Sequence, residues 1–455
     1  MSRDRVLVVG GGLAGQAAAL RCRDAGLPVV LLEARPRLGG ATCSFRRGGM
    51  TVDTGQHVVL RCYSAYQQLL RRIGAPDGVE LADRLRIPVV APGGRSWTLR
   101  SWPLPAPAHL APALAGHRAL TAAQRARAAR TALALRRLDP DSPAADRVSF
   151  GEWLRSRGEP GASVRSLWGL LTVAALNARP DEASLALAAR VFQTGLLDDR
   201  DAGHIGVPRV PLGELHDVAA RRALEAGGVA VHTQTKATEV QRTEEGLRVL
   251  VRDGDGVEEV RAGSVVVAVP HEAASRLLRN LPLDGAEHWP QLSASPIVNV
   301  HVVYDRPVTR LPVVAALDSP VQWVFDRTAA SGLPGGQHLA VSLSAADEHV
   351  QARSRDLRHL FLPALRELFP AAADAAARDF FVTREAAATF RQAPGTRRWR
   401  PAARTGVPGL VLAGAWTATG LPDTIEGAVT SGDTAAEVVV AEHGNRSAHG
   451  AEVRA

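Results

Sequence analysis

The fold is decided by Val6-Leu7-Val8-Val9-Gly10-Gly11-Gly12-Leu13-Ala14-Gly15, close to the start of the chain. Four apolar residues predict a buried strand, and Gly10, Gly12 and Gly15 follow at GxGxxG spacing before a helical run. In this pattern the first glycine permits a tight turn, the second lets the backbone approach a pyrophosphate, and the third lets the helix pack closely on the strand. The start of the helix offers free N–H groups and a positive dipole end to the phosphates.

The second strand of the pattern ends in an acid. Val29-Val30-Leu31-Leu32 leads into Glu33, about 20 residues beyond the glycines, where a carboxylate is expected to accept a hydrogen bond from a ribose 2′-hydroxyl. An acid at this position disfavours a 2′-phosphate. The alternative is a glycine turn in another α/β fold, but strand, glycines, helix, strand and acid all follow in the order of a dinucleotide-binding unit.

Length and composition narrow the classes of protein. A chain of 455 residues with 46% hydrophobic and 22% charged residues predicts a globular protein of two or three domains. The net charge is +8, and nearly all of the positive charge is arginine, since Lys236 is the only lysine. Aromatic residues make up only 4%, so base-stacking surfaces are scarce and nucleic acid is not expected as a partner.

The three cysteines, Cys22, Cys43 and Cys62, are odd in number and have no CxxC spacing. We therefore expect neither disulfides nor a metal site. No signal segment and no long apolar run is recognised. The expectation is a cytoplasmic protein, and peripheral contact with the inner face of the membrane is left open.

Further motifs support a resemblance to a known superfamily. Together with the first glycines, Glu33-Ala34-Arg35, Gly39-Gly40 and Asp53-Thr54-Gly55 resemble the FAD-binding signature of the flavin amine oxidase and phytoene desaturase superfamily. More narrowly, Gly55-Gln56-His57-Val58-Val59-Leu60-Arg61-Cys62-Tyr63 resembles the bacterial hydroxysqualene dehydroxylases. These enzymes are also known as squalene-associated FAD-dependent desaturases and belong to hopanoid biosynthesis. The resemblance implies FAD as the cofactor and a long apolar isoprenoid as the substrate.

The predicted fold class is α/β, with a Rossmann-like FAD-binding domain and a discontinuous α+β substrate domain of helices plus mixed sheet. Residues 1–60, 205–275 and 405–440 are expected to form the FAD-binding domain, and residues 61–204 and 276–404 the substrate-binding domain. The resemblance implies that strand 297–304 lies in the sheet that forms the pocket floor, and that 321–327 is similar to the dehydroxylase group. Residues 441–455 are expected to be a disordered tail.

The cofactor-binding residues come from the pattern and the resemblance together. By resemblance alone, Val240 is placed against the adenine. Near the C-terminus, an apolar strand ends at Gly414 and a turn leads into a helix whose start would stabilise negative charge on the reduced flavin. The predicted set is Gly10, Gly12, Leu13, Ala14, Gly15, Glu33, Ala34, Arg35, Gly39, Gly40, Gly55, Gln56, His57, Val240, Gly414, Thr424 and Ile425.

The leading hypothesis for the chemistry is reductive removal of an allylic hydroxyl, which would convert hydroxysqualene to squalene. Hydroxide is a poor leaving group, so a general acid must protonate it. The titratable residues in the motifs are His57, Asp53, Asp423 and Glu426, of which His57 and Asp423 rank first as catalytic residues. For each of them a structural role, such as capping a turn, is an equally open reading.

Three other functions share the fold. A carotenoid or phytoene-type desaturase would reverse the electron flow. Many flavin amine oxidases of the superfamily carry a lysine near the flavin, whereas Lys236 lies in the segment assigned to the adenine end, which argues against amine oxidation. A non-enzymatic escort of prenylated proteins is disfavoured by intact Gly10, Gly12, Gly15 and Glu33. The oligomeric state is not predicted.

Two further parts of the chain can each be interpreted in two ways. Helix 121–138 is rich in arginine and follows the apolar stretch 97–105, so both could dock on anionic lipid. The arginines do not keep to one stripe, which favours a solvated helix face. The apolar helices at 168–178 and 184–192 could line a substrate tunnel or pack on each other, and packing is the default. His301 is expected to be a hydrogen-bonded structural histidine.

Overall fold

A computed structural model describes residues 5–244, 246–254 and 256–452. The strands are β1 (Val6–Val9), β2 (Val29–Leu32), β3 (Ser44–Arg47), β4 (Met50–Asp53), β5 (Val59–Leu60), β6 (Val79–Leu81), β7 (Arg86–Ala91), β8 (Arg95–Arg100), β9 (Ile205–Pro208), β10 (Ala230–His232), β11 (Thr235–Thr243), β12 (Gly246–Asp253), β13 (Gly256–Ala262), β14 (Ser264–Val267), β15 (Ala294–Tyr304), β16 (Val313–Ala316), β17 (Trp323–Asp326), β18 (Gln337–Leu343), β19 (Ala377–Phe390) and β20 (Leu410–Leu412).

The helices are α1 (Leu13–Asp24), α2 (Ser64–Arg72), α3 (Ala111–Ala115), α4 (Ala122–Arg136), α5 (Pro143–Arg147), α6 (Phe150–Ser156), α7 (Gly161–Ser163), α8 (Gly169–Leu176), α9 (Leu185–Phe192), α10 (Ala220–Ala226), α11 (His271–Leu277), α12 (Thr328–Ser331), α13 (Ser354–Leu368) and α14 (Ile425–Glu452). Wider π-helical turns precede α8 and α10 and follow α9, at Val164–Trp168, Glu214–Ala219 and Gln193–Leu197.

The first glycine motif belongs to a five-stranded parallel sheet of order β10-β2-β1-β14-β20. Its central strand β1 is buried on both faces, which explains the unbroken apolar run that predicted it. Val6 and Val8 pack with α1 and α14, while Leu7 and Val9 pack with the antiparallel sheet β11-β12-β13 on the other side. All five strands come from the three segments predicted to form the FAD-binding domain.

The larger sheet is mixed and has the order β19-β15-β18-β17-β16-β7-β8. Its pairs are antiparallel except for β16 and β7, which run parallel. Helix α13 packs with one face, and an apolar cluster that includes Leu99 and Phe325 covers the other. The strands come from both segments predicted to form the substrate domain. The predicted α/β class with a Rossmann-like sheet and a second mixed sheet is thereby confirmed, while the division into domains stays a prediction.

A group of helices forms a separate apolar cluster around Phe150, Trp168 and Phe192, whose rings contact one another. Helix α6 begins with a side-chain cap, since the Oγ of Ser149 accepts a hydrogen bond from the Glu152 N–H (3.1 Å). These side chains are buried against each other, so mutual packing is the role that the structure shows for them.

The end of the chain differs from the prediction. Helix α14 continues to Glu452, so residues 441–452 are not the disordered segment that their mixed composition predicted; residues 453–455 lie outside the described part of the chain. A tertiary contact holds the start of this extension, because Glu442 pairs with Arg404 (2.6 Å), and within the helix the buried His443 ring is bonded to the Val439 carbonyl (3.0 Å). Over the described residues, no helix combines the length and the apolarity needed to cross a membrane.

Candidate functional site

The turn between β1 and α1 contains glycines required for two different reasons. A Cβ on Gly10, whose φ is +109°, would collide with the Ala268 carbonyl oxygen, and one on Gly15 would collide with the Gly10 carbonyl. A Cβ on Gly12 would meet only the Gly40 Cα, at 3.8 Å. The first two glycines are therefore needed by the fold, whereas Gly12 faces open space.

That open space has the lining that a pyrophosphate needs. Helix α1 starts at Leu13 with no side-chain cap, so the N–H groups of its first turn, including that of Ala14, are available to a ligand. Gly39 and Gly40 approach from the other side, since a Cβ on Gly40 would lie 3.2 Å from the Gly12 Cα. The Gly12 and Gly40 backbones thus lie in contact without side chains beside the free helix start, and we call the surface that they form with it the crevice.

Glu33 is held in place for a ribose. One carboxylate oxygen accepts from the Gly11 N–H (2.8 Å), and the other accepts from the Arg35 N–H (2.8 Å). Each oxygen keeps a second lone pair for a hydroxyl. Arg35 also reaches the Gly40 carbonyl (3.3 Å), and Ala34 between them is exposed. The structure therefore brings together all the residues predicted for the dinucleotide end, except Val240.

Val240 is fully buried among the apolar side chains between the two sheets. It lies on β11, an edge strand whose beginning is tied to Glu33 by a hydrogen bond from the Thr235 N–H to the Glu33 carbonyl (3.0 Å). The role of Val240 at an adenine stays a prediction.

Hydrogen bonds from two strands of the larger sheet hold the start of the segment Gly55-Gln56-His57. The Thr54 carbonyl accepts from the Thr383 hydroxyl (2.9 Å) and from the Asn299 amide (3.3 Å). Two buried polar atoms beside Gly55 have no partner among the described residues, the Oδ1 of Asn299 and the Nδ1 of His57. Orphaned polar atoms of this kind fit a site that is completed by a polar ligand.

The C-terminal motif meets the first one at the end of β14. Gly414, at φ +133°, lies against the Val269 carbonyl, which adjoins the Ala268 carbonyl in contact with Gly10. The Gly414 N–H donates to the Ser431 hydroxyl (2.8 Å), and α14 begins at Ile425 directly after Thr424. The Tyr63 side chain lies against Thr424. The predicted C-terminal residues therefore sit beside the segment that follows His57.

Asp423 is a partly buried acid in this motif. Its Oδ2 accepts from the Phe390 N–H (2.9 Å), while Oδ1 has no partner among the described residues. Burial raises the pKa of the Asp423 carboxyl to about 6, although the Phe390 N–H and the Arg400 guanidinium act in the opposite direction. A carboxyl with this pKa exists in both protonation states near neutral pH, as a general acid must.

The pKa of His57 is lowered, whereas that of Asp423 is raised. Burial lowers the pKa of its imidazole, although Asp53 and the Gly55 backbone act in the opposite direction. The ring is therefore neutral at neutral pH and is poorly suited to supply a proton as imidazolium. Between the two catalytic candidates, the pKa directions favour Asp423 as the acid.

The other two titratable candidates have structural partners. Asp53 is buried and forms an ion pair with buried Arg327 (2.9 Å), and it also accepts from the Ser44 hydroxyl (2.6 Å) and the Leu212 N–H (2.9 Å). Glu426 accepts from the N–H groups of Ala65 (3.0 Å) and Tyr66 (2.8 Å), so it caps α2. These are the capping and motif-holding roles that the sequence left open.

Several residues at the site were not predicted. Arg400 is buried and donates to the carbonyls of Ala415 (2.9 Å) and Thr417 (2.6 Å), which fixes the loop before Asp423. Asn299 stands out in the sequence as the one amide in the apolar strand 297–304, a signal that could have identified it. His301 has partners on both ring nitrogens, His338 (3.1 Å) and Thr383 (3.2 Å), as expected of a structural histidine.

Metal ligation has no support in the part of the chain that the structure describes, where no cluster of three or more histidine, cysteine or acidic side chains could hold an ion. The donor set at the crevice instead consists of glycine backbones, a free helix start and one carboxylate. These groups fit an adenine dinucleotide with an unphosphorylated 2′-hydroxyl.

Comparison with known proteins agrees with this geometry. The chain is 28% identical to a hydroxysqualene dehydroxylase from Sinorhizobium fredii, over 96% of this chain and 98% of that protein. It is 27% identical to a zeta-carotene desaturase from Synechocystis, over 96% and 97% of the two chains. The solved structure of cyclohexylamine oxidase from Brevibacterium oxydans is similar in fold, with a TM-score of 0.70, 18% identity and coverage of 96% and 99%.

A family model also matches most of the chain. Residues 13–440 match the family described as flavin containing amine oxidoreductase, which covers the larger sheet, every strand of the parallel sheet except β1, and the C-terminal glycine motif. The cofactor implied by that family, FAD, is the one that the crevice fits. The chain therefore belongs to the flavin containing amine oxidoreductase family, and it is an FAD-dependent oxidoreductase.

Proposed function

We propose that this oxidoreductase reductively removes a hydroxyl group from a long apolar isoprenoid alcohol, and that hydroxysqualene, converted to squalene, is the specific substrate. The observation that carries the proposal is Asp423, a carboxyl with a pKa of about 6 in the motif beside the flavin site. One of its oxygens is anchored by the Phe390 N–H, and the other is free to face a substrate. Dehydroxylation requires such an acid, whereas removal of hydrogen from a hydrocarbon does not.

The reaction divides between the cofactor and the chain. When bound in its reduced form, FAD supplies the hydride that takes the place of the hydroxyl. Asp423 donates its proton to the hydroxyl oxygen while the carbon–oxygen bond breaks, so that the oxygen leaves as water. The Asp423 carboxylate then regains a proton from solvent. The neighbouring Arg400 guanidinium, fixed by the loop carbonyls, stabilises the carboxylate that remains after proton transfer.

The interior next to His57 suits an apolar chain. Val58 adjoins a buried cluster that includes Leu99, Leu170 and Phe325, between the larger sheet and the helices. A ligand in this region would meet few polar groups, and it would be oriented by those at the flavin end. The similarity to hydroxysqualene dehydroxylase supports the specific substrate. A substrate of this kind is dissolved in lipid, so the proposal includes contact with a membrane surface.

A second candidate is desaturation of a carotenoid, favoured by the similarity to zeta-carotene desaturase over nearly the whole chain. It keeps the cofactor and the apolar site, and it reverses the electron flow. Desaturation needs no proton donor to a leaving oxygen, so the raised pKa of Asp423 would have no part in it.

The test is anaerobic incubation of the reduced holoenzyme with hydroxysqualene, followed by mass analysis of the product. The proposal predicts squalene, which has lost oxygen. Oxidised holoenzyme with phytoene or zeta-carotene is the parallel reaction. A product that has lost two hydrogens there, with hydroxysqualene unchanged in the first reaction, would replace dehydroxylation by desaturation.

A further inference from the structure

An open cavity of about 850 Å³ lies on the surface between the β7–β8 hairpin and α3. Its walls combine cationic and aromatic side chains that the proposed reaction does not use. We call the following residues the arginine–tryptophan patch: Arg84, Arg86, Arg100, Arg118, Trp97 and Trp102.

The four arginines of the patch carry charge that the protein does not neutralise. All four are exposed, and none forms an ion pair with an acid within the described residues. Arg118 does donate a hydrogen bond, but its acceptor is the neutral Ser96 carbonyl (3.3 Å). Some surface arginines elsewhere do find acids, as Arg136 does with Asp198 (3.2 Å). Four unpaired guanidinium groups around one cavity favour an anionic partner.

An apolar loop projects beside these charges. The Trp102 side chain is 52% exposed and that of Leu104 is 39% exposed, which is unusual for large apolar residues in this chain. The loop is closed at its base by the Trp102 N–H, which donates to the His109 carbonyl (3.0 Å), and by the His109 N–H, which donates to the Pro105 carbonyl (3.2 Å). The exposure of these side chains therefore belongs to an ordered loop.

Exposed tryptophan and leucine next to unpaired arginines have the chemistry of a membrane interface. The rings of tryptophan lie at the level of the lipid headgroups, leucine enters the acyl boundary, and arginines bind the phosphates of anionic lipids. A soluble anion would satisfy the arginines but would leave Trp102 and Leu104 in water. The combination favours a phospholipid surface as the occupant.

The patch also connects to the interior. Beneath the exposed Arg86 and Arg100, the alternate residues Ile87 and Leu99 point inward and belong to the buried cluster that includes Phe325. Val58, next to His57, packs against the same cluster, and so does Trp97 of the patch. Apolar side chains are thus continuous from this surface to the flavin motif.

We propose that the arginine–tryptophan patch docks the protein on membranes of anionic phospholipid. This inference rests on the proposed function for its choice of a lipid-dissolved substrate. The docking places the apolar interior behind the patch against the bilayer in which such a substrate is dissolved. The arginines supply the attraction to the headgroups, and Trp102 with Leu104 supplies the apolar contact.

The test is cosedimentation of the holoenzyme with vesicles of phosphatidylglycerol and phosphatidylcholine. We expect binding to vesicles rich in phosphatidylglycerol, weakening as salt rises, and little binding to pure phosphatidylcholine. The variant Arg86→Glu/Arg100→Glu should weaken binding at least about tenfold, since each basic side chain near an anionic surface contributes to the attraction. Trp102→Ala should weaken the binding that persists at high salt.

Two matched variants change the charge equally at other places. Arg222→Glu/Arg276→Glu lies on α10 and α11, outside the patch, and should bind as the parent protein does. Arg130→Glu/Arg137→Glu removes charge from the arginine-rich region of α4 and should also retain most of the binding. Equal loss in either control, or equal binding to both kinds of vesicle, would overturn the proposal.

Flavin absorbance and thermal unfolding of each variant report whether it is folded and loaded. The proposed function is tested separately with hydroxysqualene dissolved in detergent. Conversion in detergent without vesicle binding would contradict the docking proposal and support the proposed reaction. Vesicle binding through the patch without conversion would support the docking proposal and contradict the proposed reaction.

Discussion

At the scale of single residues, the glycines of the first motif differ in what they do. Gly15 lies where a side chain would strike the Gly10 carbonyl, whereas Gly12 faces the crevice between α1 and Gly40. The spacing of glycines predicted both roles because the motif is local in sequence. In the structure Gly15 is needed for close packing of the fold, whereas Gly12 is the glycine left for the cofactor.

This difference gives a first prediction. Gly12→Val should leave the apoprotein as stable to heat as unsubstituted apoprotein, yet it should abolish flavin binding because the side chain fills the crevice. Gly15→Val should lower the yield of folded protein, since its side chain meets backbone. The measurements are flavin absorbance per protein and thermal unfolding of the apoproteins. Full flavin occupancy in Gly12→Val would contradict the placement of the pyrophosphate.

The acid at the site gives a second prediction. Asp423→Asn should reduce the rate of dehydroxylation roughly a hundred- to ten-thousand-fold, because the amide cannot protonate the leaving hydroxyl. The pKa of Asp423 is raised to about 6, so in the parent enzyme the protonated form is lost, and the rate falls, as the pH rises through that value. The rate should be measured as a function of pH with fully reduced enzyme.

The controls for this prediction separate the acid from its neighbours. Asp198→Asn changes an exposed partner of Arg136 and should leave the rate unchanged. His57→Gln should lower the rate less than Asp423→Asn and keep the same fall with rising pH, because the His57 ring is already neutral. A pH profile that loses this fall in His57→Gln and keeps it in Asp423→Asn would exchange the two roles.

The contacts between distant residues at the site could not be predicted. Asn299 reaches Thr54 across 245 positions of the chain, and Arg327 reaches Asp53 across 274. Such contacts depend on how the two sheets meet, which no local pattern describes. Glu33 was predictable because its partners, Gly11 and Arg35, lie within the same strand–helix–strand unit.

At the scale of elements, the start of α2 depends on a residue of α14. Glu426 accepts hydrogen bonds from the N–H groups of Ala65 and Tyr66, which would otherwise have no partner in the helix. Glu426→Ala should reduce the free energy of unfolding by about 1–2 kcal/mol, as loss of a helix cap does. The measurement is denaturant unfolding followed by circular dichroism.

The same helix provides a matched control. Glu437 is exposed on α14 and forms no hydrogen bond within the described residues, so Glu437→Ala should change the free energy of unfolding by less than about 0.5 kcal/mol. An equal effect of the two substitutions would mean that the cap contributes nothing beyond removal of an acid.

The elements found from sequence were those with a strong apolar pattern. The strand β1 and the strand 297–304 belong to this group. The longest strand, β19, was not predicted, because it lies at the edge of the larger sheet and several of its residues, such as Arg378 and Arg384, are exposed and polar. Its assignment depends on pairing with β15, which is a tertiary feature.

At the scale of the whole molecule, a buried ion pair links the small β3–β4 sheet to the larger sheet. Asp53 is the last residue of β4, near the flavin motif, and Arg327 follows β17 of the larger sheet. Arg327→Met should reduce the free energy of unfolding by about 3–5 kcal/mol, because it leaves the Asp53 carboxylate buried without its partner. The double variant Asp53→Asn/Arg327→Met should recover part of that loss.

An exposed pair is the comparison for this prediction. Arg136→Met breaks the surface pair with Asp198 and should change the free energy of unfolding by less than about 1 kcal/mol. If Arg327→Met proves equally mild in denaturant unfolding, the buried pair does not hold the sheets together.

The overall architecture was predictable because the resemblance to the superfamily implies that separate segments of the chain contribute to the same domain. The five strands of the parallel sheet come from segments that are far apart, and no local signal at β10 or β20 says that they join β1 in one sheet. The surface use of the molecule was less predictable, since the sequence does not show that Trp102 and the arginines of β7 and β8 line one cavity, away from α4.

In the proposed reaction, electrons pass from reduced FAD to an isoprenoid alcohol while Asp423 supplies the proton. The most direct measurement is an anaerobic titration of the reduced holoenzyme with hydroxysqualene, in which flavin oxidation and product are quantified together. We expect one molecule of squalene for each flavin oxidised, and almost none on the same timescale with Asp423→Asn. Flavin that stays reduced, or that is oxidised without loss of oxygen from the substrate, would contradict it.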